Sequence, residues 1–125
     1  MAYNPAGVSI DVKVIGNRLN GAYQGQLRRA AQQVVKQHLE RVQEDWGNAV
    51  RVDSSALKNS ILAPSAIEIA PNGLEGVVAT DNDHAEVNEF GGPTIAAQPD
   101  AANAAEKNRP IFERDIAKIT KELER

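Results

Sequence analysis

The chain has 125 residues, no cysteine, five aromatic side chains and a formal charge of −3. That length holds one core of ordinary size and not two. The missing cysteines exclude a disulfide framework and a thiolate zinc site. The acidic balance excludes a general nucleic-acid binder, which needs an excess of Lys and Arg to neutralise phosphates. No apolar run approaches the roughly 20 residues that cross a bilayer, and residues 1–7 lack the charged start and apolar stretch of a signal peptide. A protein made in the cytoplasm, with no membrane partner, is expected.

Residues 1–7 read as a flexible arm, and residues 8–125 as a single α+β domain. Val8, Ile10, Val12 and Val14 alternate with Ser9, Asp11 and Lys13, the period of a strand buried on one face. Leu27, Ala31, Val34, Val35, His38, Leu39, Val42 and Trp46 then recur at steps of three and four, one stripe of a long helix from about 21 to 46. Gly47 stands where a helix C-terminal glycine belongs. Asp53 is placed to cap a short helix that ends before Pro64.

Ile67 and Ile69 alternate with Glu68, Pro71-Asn72-Gly73 supplies turn chemistry, and Leu74, Gly76 and Val78 lead into a second run. This predicts a hairpin over about 65–80. A helical turn or two from His84 to Phe90 is stopped by Gly91, Gly92 and Pro93, and a loop follows over about 91–99. Asp100 can cap a last helix carrying Ala101, Ala104, Ala105, Ile111, Phe112, Ile116, Ile119 and Leu123, with Pro110 expected to break or kink it. The expected architecture is a small antiparallel sheet, an N-terminal strand plus a hairpin, packed by a long helix and a C-terminal helix.

Chemistry-bearing residues are sparse. Asp81, Asp83, His84, Glu86 and Glu89 crowd nine residues with possible cation ligands, but their spacing fits no calcium loop, and a solvated acidic segment is the better account. His38 lies on the apolar stripe of the long helix, where a packing role is usual. No Gly-x-Ser-x-Gly elbow, phosphate-binding glycine loop or His-Glu-x-x-His pair occurs, so no enzyme and no cofactor is expected. Arg28 and Arg29 share their helix with Glu40, Glu44 and Asp45, as a mixed solvated face does.

Three segments together resemble the small tail-completion or head-to-tail joining proteins of long-tailed phages. The first runs Val52-Asp53-Ser54-Ser55-Ala56-Leu57-Lys58-Asn59-Ser60-Ile61, with Ser54 and Ser55 where the family has Thr and Gly. The second runs Val78-Ala79-Thr80-Asp81 and then His84-Ala85-Glu86-Val87-Asn88-Glu89-Phe90-Gly91-Gly92, with His84 in the place usually held by Tyr. The third is Gln98-Pro99, then Ala101, Ala102 and Ala105, leading into Phe112-Glu113-Arg114-Asp115-Ile116. The resemblance covers roughly 50–124. It implies a virion protein of the neck or tail, a homohexameric ring that joins the tail tube to the head-completion or portal layer and leaves a channel for DNA. A tail terminator ring is the alternative, and an unrelated small adaptor domain comes after it.

A ring subunit works through surfaces. Tyr3, Asn4 and Pro5, then Glu89, Phe90, Gly91, Gly92 and Pro93, then Gln98, Pro99, Ala101 and Ala102 are the expected contact residues, and the arm over 3–7, the loop over 91–99 and the alanine-rich start of the last helix are expected to order only on docking. Asp81, Asp83 and Glu86 are expected to face a channel along which DNA slides without sequence-specific binding.

Overall fold

The computed structural model describes residues 8–13, 25–51 and 55–123. It is an α+β fold in which three antiparallel strands meet a long helix that lies antiparallel to a second one. In chain order the elements are β1 (Val8–Lys13), α1 (Gln26–Ala49), α2 (Ser55–Leu62), a 3-10 turn (Pro64–Ala66), β2 (Ile67–Ile69), β3 (Glu75–Thr80), α3 (Ala85–Phe90) and α4 (Asp100–Leu123). The N-terminal arm, Asp53 as a cap and residues 14–24 lie outside the described residues.

The sheet order is β1-β3-β2, with Val8 opposite Thr80 and Ile67 opposite Val78. The hairpin closes because Ala70 N–H donates to Glu75 O at 2.9 Å and Gly73 N–H to Ala70 O at 2.8 Å. Asn72 Oδ1 accepts from Leu74 N–H at 2.9 Å. In the central strand Val77 and Val78 are both buried, although neighbouring strand residues point to opposite faces.

The predicted stripe of α1 is the spine of the core. Ala31, Val35, Leu39, Val42 and Trp46 are buried and meet Leu57 and Ile61 of α2, Leu74 and Val78 of the hairpin, and Val8 and Val12 of β1. Helix α4 closes the other side with Ala101, Ala104 and Ile119. Gln43 of α1 donates to Ile61 O and Ala63 O, each at 2.9 Å, and so holds the end of α2.

Two expectations are corrected. Gly47 does not end the first helix, which runs on to Ala49. A Cβ at Gly47 falls on the Leu62 side chain, 2.5 Å from its Cγ, so glycine is there to let α2 come close. Pro110 does not break the last helix, which spans Asp100–Leu123 with Pro110 inside it. Proline removes the donor for the Glu106 carbonyl, but Glu106, Arg109 and Pro110 are all exposed. Water can serve that carbonyl on the solvent side of the helix.

Candidate interaction surface

Helix α3, the loop over 91–99 and the start of α4 form one knot at the C-terminal end of α1. Gly91 turns the chain at φ 84°, a conformation closed to most side chains, while its N–H donates to Val87 O. Across the loop Gly92 N–H donates to Ile95 O at 2.9 Å, and Gln98 N–H returns to Asn88 O at 2.7 Å. The loop is thus pinched at its tip and at its base.

Asn88 is the centre of the knot. Its Nδ2 donates to Gln98 O at 3.1 Å and to Asp100 Oδ2 at 3.0 Å, and its Oδ1 accepts from Arg51 Nη1 at 2.8 Å. Arg51 Nη2 reaches on to Ala96 O at 2.7 Å. Gln98 Nε2 donates to Ala49 O and to Asp100 Oδ2. The loop expected to order only on docking therefore has internal partners that hold it, drawn from α1, α3 and α4.

Glu89 supplies the cap that the sequence suggests for Asp100. Its two carboxylate oxygens accept from Ala101 N–H at 2.8 Å and Ala102 N–H at 3.0 Å. Asp100 N–H donates to Gln98 O and Asn103 N–H to Pro99 O. The first four amides of α4 all have acceptors, and a negative charge lies at the positive end of the helix dipole. Asp100, the first helical residue, instead receives the Asn88 and Gln98 side-chain amides.

The predicted contact residues divide accordingly. Glu89 and Ala101 are buried and Gln98 is half-buried, whereas Gly92, Pro93, Pro99 and Ala102 are exposed. Phe90 is 72% exposed and Ile95 44% exposed. Asp81, Asp83 and Glu86 are exposed as well. Tyr3, Asn4 and Pro5 lie outside the described residues. Arg51, Asn88 and Ile95, none of them among the expected contact residues, complete the region.

Two candidate chemistries find these placements. Among the described residues no three His, Asp or Glu side chains come together as a metal site, and Glu89 has both oxygens on backbone amides. His84 shares a hollow of about 340 Å³ with Arg51, Ser55, Ala56, Val87, Asn88 and Ile95. Among the described residues no hydrogen bond joins the His84 ring to Ser55.

His38 sits between α1 and α4, its ring 4.4 Å from that of Phe112. Burial, and secondarily the charge of Arg41, push its pKa down to about 4. Among the described residues its Nδ1 has no hydrogen-bond partner, and neither have two buried guanidinium nitrogens of Arg41.

Comparison with protein-family models, curated proteins and solved structures returns no match. Among the described residues no helix is long and apolar enough to cross a membrane.

Proposed function

We propose that the chain is a structural subunit of a long-tailed phage particle, assembling as a ring that joins the tail tube to the head-completion or portal layer. The observation that carries this reading is the opposite fate of neighbours Glu89 and Phe90. Glu89 turns inward and fastens α4, while Phe90 turns outward at 72% exposure beside the two glycines. The segment that bears the resemblance is thus a buttressed apolar projection, a form suited to packing against another protein surface. The polar groups behind it are occupied with one another, so they serve to hold it and are not offered to a substrate.

The reading is tested by native mass spectrometry and negative-stain microscopy of the purified chain, alone and mixed with head-completion and tail-tube proteins. A ring, or a monomer that becomes a ring with those partners, is the expected result. A monomer that ignores all of them sinks the proposal.

A further inference from the structure

A second exposed apolar position lies at the other end of the molecule. Ile69, 40% exposed, forms with Arg29, Gln32, Gln33, Lys36 and Gly73 an open hollow of about 470 Å³. Gln32 Nε2 donates to Asn72 O at 2.9 Å, which pins the hairpin turn against α1 and fixes one wall. Arg29 and Lys36 are exposed seven residues apart on one side of α1, two cations on the rim of a partly apolar floor. Glu40, one turn beyond Lys36, is not among the lining residues.

The Phe90 end has the opposite character. Glu86 and Phe90 are four residues apart on α3 and so share a side of it, and Asp81 and Asp83 are exposed just before it. Among the described residues none of Arg29, Lys36, Asp81, Asp83 and Glu86 forms an ion pair. The two ends are held apart by α1. Gln32 anchors one and Ala49, whose carbonyl accepts from Gln98, anchors the other. The rise of a helix puts about 25 Å between those anchors.

We propose that copies of this chain meet head to tail, the Phe90 end of one seated in the Arg29–Lys36–Ile69 hollow of the next. The two ends are opposite in charge, and each carries a large exposed apolar side chain, Phe90 on one and Ile69 on the other. The Phe90 ring meets Ile69, the one large apolar side chain lining the hollow, and two cations that its face attracts, and Asp83 and Glu86 meet Arg29 and Lys36. Two different patches at opposite ends make a heterologous contact, which closes into a ring or runs on as a filament, whereas a single self-complementary patch stops at a dimer. Opposite charge steers the encounter and sets its orientation. The inference rests on the ring reading and gives that ring its contact faces. It also moves Asp83 and Glu86 from the channel wall to the joint between neighbours.

The test is light scattering and native mass spectrometry of the full chain over a concentration series up to the millimolar range at low salt. The wild-type chain is expected to associate, and added salt to weaken it. R29E/K36E alone and D83K/E86K alone are each expected to shift the association midpoint at least tenfold towards monomer. An equimolar mixture of the two regains association, because every joint again pairs opposite charges. Phe90→Ala weakens association without altering charge, and circular dichroism checks that each variant keeps its helices. Association that none of these changes overturns the proposed faces while leaving the ring reading standing. A wild-type monomer at every concentration also overturns the proposal, and the ring reading is then decided separately by mixing with tail-tube and head-completion proteins.

Discussion

Around Trp46, helices α1 and α2 and the sheet meet through Leu39, Val42, Leu57 and Ile61, all fully buried. Around Asn88, by contrast, four stretches of chain meet through a guanidinium, two amides and two carboxylates. Apolar contact has no direction, so the first region answers to volume and is weakened by whatever leaves a void. Hydrogen bonds are directional, so the second answers to completeness. Removing one member leaves its partners unpaired at a cost larger than the bond itself. Each region also holds a ring of the other's kind: His38 is a polar ring within the packed part, and Phe90 is an exposed apolar ring on the bonded part.

The largest expected effect lies in the packed part. Trp46→Ala is expected to cost about 3–5 kcal/mol, measured by urea unfolding, and a loss under about 1 kcal/mol would mean that packing is not what holds this half. His38 comes next. The unfolded chain takes up its proton near the ordinary 6.5 and the folded chain only near about 4, so between these values the unfolded state binds more protons. Stability is then full above pH 6.5, falls as the pH drops through that window, and levels off below it. The loss is about 3 kcal/mol. His38→Phe keeps a ring beside Phe112 and flattens the profile. Identical pH profiles for variant and wild type would remove His38 as the cause.

Glu89→Ala strips two amides of their acceptor and is expected to cost about 2 kcal/mol. Hydrogen exchange quickens first at Ala101 and Ala102, and uniform quickening along α4 would argue against a local cap. Glu89→Gln, which keeps one acceptor oxygen, falls between. The smallest effect is assigned to Phe90→Ala, within about 0.5 kcal/mol of the wild type. A clear destabilisation there would mean that the ring supports the fold instead of projecting from it.

The packed part was the legible one. Side chains at steps of three and four on α1, and the turn residues Pro71-Asn72-Gly73, announce their elements within a dozen residues, and the fold class follows from their order. The bonded part has no such period. Arg51 finds Asn88 across 37 residues and Gln98 finds Ala49 across 49, and no local pattern records a pairing of that reach. Glu89 and Phe90 therefore look alike as a contact pair, although one is a cap and the other a projection. Gly47 misleads for a related reason, since a glycine that ends a helix and one that admits a neighbour read identically until Leu62 is in view.

The register of β1 has a consequence for synthesis. Its partners run from Glu75 to Thr80, so the first strand made is separated from its pairing residues by 62 to 72 positions. Contacts of such reach are slow to form because a long segment must be closed first. On the ribosome α1 and α2 are complete before β3 has emerged, and β1 waits for it. Until that pairing is made, the outer edge of β3 is open to the β1 of a second nascent chain as well as to its own. The pairing of β1 with β3 is therefore the step that closes the sheet last, and strand exchange between chains competes with it for as long as that edge stays open.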